Sequence, residues 1–183
     1  MLKRINAKAA MLGFLLMCVF AGPAAAQSGP EGMTEAGKKE FVQGHFDAMY
    51  KRAAERASDI LESGRDVKAF AVVVTLDQKV RLVQLAPEQL SQMPASTALE
   101  IMRRSLRTAV EEKGTIGGVT VVYTADNPNQ NAKARKVLVV EMEHVFGAHL
   151  AQLVPYTVDD GNAMFGEAVV AEIEPTILKI NRE

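Results

Sequence analysis

Two histidines in the second half of the chain are spaced for metal binding. His144 and His149 flank Phe146-Gly147, and a two-residue turn there would place their imidazoles opposite each other on one face of a hairpin. His45 lies in a predicted helix and would be a third ligand if that helix packs on the same face. Three neutral imidazoles with an open fourth position form a catalytic zinc site. The spacing therefore predicts these three histidines as candidate metal ligands.

The border of an apolar core is the competing interpretation of the same histidines. A histidine in that position needs only a hydrogen-bond partner, which the backbone can supply. This interpretation is favoured, so we expect no cofactor, with zinc as the alternative. The face predicted to carry the histidines also carries Leu138, Val140, Met142, Ala151 and Leu153.

Two carboxylates lie on the opposite face of the strand that contains His144. Glu141 and Glu143 are two residues apart, and paired carboxylates can divide acid and base catalysis when burial separates their pKa values. Tyr156 and Glu167 would extend this group if they faced the same side. Alternation of polar and apolar residues is also what a half-exposed strand shows, so a solvated outer face is the favoured interpretation.

Three arginines cluster on one side of the second predicted helix and could hold a carboxylate or a phosphate. They are Arg103, Arg104 and Arg107. Glu100 precedes Arg104 by four residues and Glu111 follows Arg107 by four, so ion pairs on the helix surface would account for most of the cluster. Arg103 and Arg107 are kept as candidate ligand-binding residues beside His144, His149 and Tyr156.

The N-terminal residues have the three-part layout of a secretory signal peptide. A basic segment at 1–8 precedes an apolar run at 9–20, and small residues with A-x-A spacing end at Ala26. We therefore expect cleavage after Ala26, a flexible linker at 27–33 and a single domain at 34–183. This layout predicts a periplasmic or secreted bacterial protein.

Composition excludes several classes of function. Cys18, the only cysteine, lies in the predicted leader, so the mature chain would be free of disulfides and thiolate ligands. Cleavage would remove three of the 21 basic residues and leave 18 against 22 acidic ones, a net charge of −4. A mildly acidic chain is a poor nucleic-acid binder. The mature sequence also has no second apolar run of membrane-spanning length, so we expect no integral membrane segment.

Periodicity and turn residues predict two helices and six strands. Apolar residues recur at three and four positions from Thr34 to about Ser63 and from Thr97 to Lys113. Thr97 and Glu100 have the spacing of a capping box at the start of the second helix. Runs rich in β-branched residues predict strands at 67–76, 80–85, 119–124, 137–145, 149–156 and 163–173.

The element order favours an α+β domain. A helix-strand-strand-helix unit precedes a four-strand antiparallel meander, with both helices expected on one face of a twisted sheet. Asp160-Gly161 predicts a tight turn that would pair Tyr156 with Phe165. In element order alone the mature chain resembles profilin-like or roadblock-like domains, and more loosely the cone of nuclear-transport-factor-like proteins. A resemblance of this kind implies no activity.

Two classes of function remain open from the sequence. The first is a non-catalytic binding, inhibitory or assembly module that presents a sheet face or edge to an envelope protein or a small ligand. An exposed edge strand would also allow a homodimer. The second is a small periplasmic enzyme or ligand-binding domain with a cavity between sheet and helices, using His144, His149, Glu141 or Tyr156. The first is favoured because no nucleophile, cofactor or strong metal motif is recognisable.

Overall fold

A computed structural model describes residues 32–178 of the chain. The predicted leader at 1–26, most of the predicted linker at 27–33 and residues 179–183 lie outside this range. The predicted α+β class with an antiparallel sheet is confirmed. The elements are α1 (Glu35–Glu62), β1 (Phe70–Thr75), β2 (Val80–Val83), α2 (Pro87–Gln92), α3 (Ala95–Lys113), β3 (Ile116–Asp126), β4 (Lys136–His144), β5 (His149–Asp159), β6 (Asn162–Phe165) and β7 (Val169–Ala171).

One curled sheet contains all seven described strands, and every pairing is antiparallel. Six of the strands follow the order β2-β1-β3-β4-β5-β6. β7 also pairs with β5, on the part of β5 that β6 does not reach. The single strand predicted at 163–173 is therefore interrupted. Pro155 of β5 explains the interruption, because it accepts a bond from Gly166 N at 2.7 Å but has no N–H to return.

α1 follows from its sequence almost residue for residue. The Thr34 side chain caps the helix by accepting a hydrogen bond from Gly37 N at 3.2 Å. The apolar stripe then faces the sheet, with Phe46, Met49 and Ala53 buried. The helix ends at Glu62, one residue before the predicted end. No helix within residues 32–178 is long and apolar enough to cross a membrane.

The start of α3 differs from the prediction. The helix begins at Ala95 with Pro94 at the N-cap, so the capping box expected at Thr97 and Glu100 does not form. The ring of Pro94 holds φ at −59°, which suits the last residue before a helix. The helix ends with Gly114 at φ 56°, in the left-handed conformation common at helix C-termini.

The two long helices pack on opposite faces of the sheet, so the prediction that they share one face is wrong. In β1, Phe70, Val72 and Val74 belong to the core under α1, whereas Ala71 and Val73 belong to the core under α3. A strand covered on both faces is apolar without alternation. The run at 70–74 has this character, which is the signal for a helix on each side.

Candidate functional site

The turn between β4 and β5 is one residue longer than predicted. His144 N donates to Ala148 O at 2.8 Å, and Glu143 lies opposite His149. Because side chains alternate along a strand, a one-residue shift moves His149 to the other face from His144. The predicted pairing of these two imidazoles is therefore wrong, and the three-histidine zinc site is not assembled.

His144 instead meets His45. The Nδ1 atom of His45 on α1 lies 3.1 Å from Nε2 of His144 on β4, and both side chains are buried. Phe41 and Phe146 pack beside the pair, with ring centroids 4.1 Å from His45 and 5.1 Å from His144 respectively. We call His45 and His144 the histidine pair.

Two glycines of β3 make room for the histidine pair. A Cβ on Gly117 would lie 3.4 Å from His45 Cε1, and one on Gly118 would lie 3.3 Å from His144 Cδ2. A Cβ on Gly118 would also lie only 2.9 Å from Met49 Cε. The imidazoles therefore rest on a strip of sheet that carries no side chains.

Hydrogen bonding sets the protonation of the histidine pair. Phe146 N–H donates to Nδ1 of His144 at 3.2 Å, so the proton of neutral His144 is on Nε2 and is donated to Nδ1 of His45. The proton of His45 is then on its own Nε2, a buried atom without a hydrogen-bond partner. A protonated Nε2 on His144 has no lone pair for a metal, so the pair does not fit the zinc alternative.

Burial keeps the histidine pair neutral. It lowers the pKa of His45 below its usual value. Burial, assisted by repulsion from His45, lowers the pKa of His144 to about 4. The pair is therefore an uncharged bridge between α1 and β4 at neutral pH.

Glu141 is engaged by its own chain on the α3 face. Arg103 donates to both of its carboxylate oxygens at 2.6 and 2.8 Å, and Tyr123 OH donates at 2.7 Å. Burial, with the hydrogen bond to Glu141 as the next cause, raises the pKa of Tyr123 to about 12. A fully solvated outer face, the favoured sequence interpretation, is therefore wrong for this part of β4, because α3 covers it.

Glu143 is more deeply buried still, with only 1% of its surface exposed. Its carboxylate accepts four hydrogen bonds, from Thr176 N, Thr176 Oγ1, Ile177 N and Leu178 N, at 2.7–3.1 Å. Three backbone amides thus converge on the carboxylate as they do at an anion site. No local sequence pattern pointed to this contact, since the partners lie more than 30 residues downstream.

The remaining predicted site residues lie apart from one another and do not form one site. Arg107 donates to Thr176 O at 3.1 Å, while Arg104 is exposed, so the arginine cluster does not converge with Arg103 on one anion. Tyr156 lies on the α1 face, with its ring 6.5 Å from Phe165 across the predicted pairing. His149 is half-buried on the α3 side, with Nδ1 2.8 Å from Gly147 O.

The outer edge of the sheet carries most of the exposed apolar surface. β6 and β7, together called the β6–β7 edge, have β5 on one side and no described strand on the other. Met164, Val169 and Val170 are exposed to 59%, 63% and 61%. Val158, at the end of β5, is exposed to 46%. The sequence predicted a strand here and an exposed edge strand in the sheet, but not the exposure of these apolar side chains.

Comparisons with known proteins give no relative. The chain shows no significant match to any protein-family model, any curated protein or any solved structure. Within residues 32–178, no three His, Cys, Asp or Glu side chains are placed to hold a metal ion. Function is therefore inferred from the geometry of the described residues.

Proposed function

We propose that the protein is a non-catalytic interaction module of the bacterial envelope, which binds an extended segment of a partner protein along the β6–β7 edge. The observation that carries the proposal is the position of the exposed large apolar side chains. Four of the five in the described chain lie on this edge or beside it, namely Val158, Met164, Val169 and Val170. An unpaired edge with apolar side chains is the surface to which an added strand binds.

The β6–β7 edge lacks lysine and proline, two residue types that commonly protect an edge strand. Natural edges are blocked by lysine, by proline or by coverage with another element. Residues 162–171 contain neither lysine nor proline. The break between β6 and β7 shortens the edge but leaves four and three residues for pairing.

The side chains that could act as catalytic acids or bases already bind other parts of the chain, which supports the same proposal. Glu141 binds Arg103, Glu143 binds the segment at 176–178, and His144 binds His45 and Phe146. A catalytic acid or base needs access to a substrate proton. These groups instead hold one element of the chain against another.

The alternative of an enzyme or ligand-binding cavity receives less support. Its candidate residues belong to two faces of the sheet, with His144 and Tyr156 on the α1 face and His149 and Glu141 on the α3 face. They cannot line one cavity. The resemblance of element order to profilin-like, roadblock-like or nuclear-transport-factor-like domains stays a prediction, and the proposed function does not depend on it.

Site-specific cross-linking in the native cell tests the proposed surface. A photoreactive amino acid replaces Met164 or Val170 in turn, with Val80 on the opposite edge strand and Asp59 on α1 as control positions. We expect a discrete cross-linked product from the first two positions and none from the controls. Equal products from all four, or none from the β6–β7 edge, would contradict the proposal.

The envelope location has its own test. Mass spectrometry of the periplasmic fraction should find a mature N-terminus at Gln27, because the A-x-A spacing ends at Ala26. An intact chain with Met1 in the cytosol would refute the location and leave the edge to be tested with cytosolic partners.

A further inference from the structure

The exposed charged residues of the segment that contains the β6–β7 edge are all acidic. Asp159 and Asp160 lie at the turn before β6, Glu167 lies between the two strands, and Glu172 and Glu174 follow β7. All five are exposed, and none of them forms an ion pair with a described residue. The sequence has no lysine or arginine between 137 and 178. Within its own stretch of the chain the edge is therefore an apolar strip flanked only by negative charge.

We infer that the occupant of the β6–β7 edge is an extended peptide segment with alternating apolar residues and lysine or arginine at its flanks. This inference rests on the proposed function and specifies its partner. The apolar side chains of such a segment would all point to one face and would cover Met164 and Val169, which share the face toward α3. Its basic flanks would meet the exposed carboxylates.

A second copy of this chain fits the edge less well. Two β6–β7 edges joined by a two-fold axis would place like charges against each other, which is destabilising across paired strands. The five carboxylates of each edge would meet no lysine or arginine from residues 137–178 of the other copy. The homodimer expected from an exposed edge is therefore disfavoured by charge, and a basic partner is favoured.

Binding of two synthetic peptides tests the inference. Each has a central Val-Thr-Val-Thr-Val, flanked by two lysines on each side in one peptide and by two glutamates in the other. Titration calorimetry should show at least about tenfold tighter binding of the lysine peptide at low salt, and the difference should shrink at 0.5 M salt. Hydrogen exchange should slow at residues 162–171 in the complex.

Two variants locate the binding and its charge dependence. The triple variant Glu167→Gln, Glu172→Gln, Glu174→Gln should weaken binding of the lysine peptide by roughly tenfold, the sum of three modest surface charge contacts. Met164→Lys with Val170→Lys should abolish it, because the added charges repel the lysine peptide and the apolar contacts are lost. The matched control, Val80→Lys on the β2 edge, should leave binding unchanged.

The experiments distinguish failure of the inferred basic partner from failure of the proposed strand addition. Equal binding of both peptides with protection at 162–171 would overturn the basic partner and leave strand addition standing. Absence of binding by either peptide, or protection elsewhere, would overturn both. A concentration-dependent dimer in sedimentation velocity, lost in the Met164→Lys, Val170→Lys variant, would also overturn the inference by making a second copy the occupant.

Discussion

His144 links the protonation of one side chain to the stability of the fold. In the unfolded chain its pKa returns to about 6.5, whereas in the folded chain it is about 4. Between these values the unfolded state binds more protons than the folded state, so lowering the pH destabilises the fold. We expect the free energy of unfolding to fall by about 3 kcal/mol from this residue between pH 6.5 and 4.

Urea denaturation across that range measures the effect, with His144→Leu as the diagnostic variant. Wild type should be more stable than the variant at pH 7, and the difference should shrink as the pH falls, because leucine binds no proton. His149→Gln is the matched control, since His149 lies outside the histidine pair. A difference that stays constant from pH 7 to 4 would refute the link.

Glu143 is also buried, and its carboxylate is satisfied by four hydrogen-bond donors. Glu143→Gln replaces one acceptor oxygen with an amide that faces backbone N–H groups. We expect a loss of about 2–3 kcal/mol and faster amide exchange at Ile177 and Leu178. Glu167→Gln, at an exposed position, is the control. Unchanged exchange at these two amides would mean that the carboxylate does not hold the C-terminal segment.

The packing of α1 on β3 depends on the absence of a side chain at one strand position. A Cβ on Gly118 would lie 2.9 Å from Met49 Cε and 3.1 Å from Val74 Cγ1. Gly118→Ala should therefore cost about 1–3 kcal/mol through overpacking. Gly44→Ala on the exposed side of α1, where nothing lies within 4 Å, should instead stabilise by up to about 1 kcal/mol.

Thermal denaturation of these two alanine variants tests whether the first lowers the melting temperature and the second raises it. Adding Met49→Val to Gly118→Ala removes the atom nearest the new methyl group, and the double variant should recover part of the loss. A Gly118→Ala variant as stable as the wild type would contradict the close approach of α1 to β3.

Elements with a local cause were predictable from sequence. Thr34 and Gly114 mark helix ends, and the Asp160-Gly161 turn aligns Tyr156 with Phe165 as expected. Each signal acts within a few residues of the structure that it determines. The interruption between β6 and β7 had a sequence signal too, but Pro155 lies on the neighbouring strand, so its effect could be read only with the pairing known.

Turn length was the decisive element that sequence did not fix. A two-residue turn at 146–147 and a three-residue loop at 145–147 suit the same strands, and Gly147 at φ 87° serves the longer one. The choice moves His149 to the other face and leaves His144 to pair with His45. The candidate metal site therefore failed through a single residue of register. The contact of Glu143 with 176–178 was unpredictable for another reason, because it joins distant segments.

At the scale of the whole molecule, the sheet separates two cores. One lies under α1 and contains the histidine pair at its border, and the other lies under α3 and includes Ile177 and Leu178 from the C-terminal segment. The strands between them contribute alternate side chains to each. The sequence shows this division in the apolar run of β1, yet periodicity does not say which helix covers which face.

Separate cores predict additive effects of substitutions on the two sides. Ile177→Ala on the α3 face and Phe46→Leu on the α1 face should each destabilise by about 1–3 kcal/mol. Their effects should add to within about 0.5 kcal/mol, because no side chain is shared. Ile177→Ala with Leu106→Ala, within one core, should depart from additivity by more. Urea denaturation of the single and double variants measures the interaction energy of each pair. An interaction energy across the sheet as large as that within one core would contradict the prediction. It would mean that the backbone of the shared strands transmits the effect of a substitution from one face to the other.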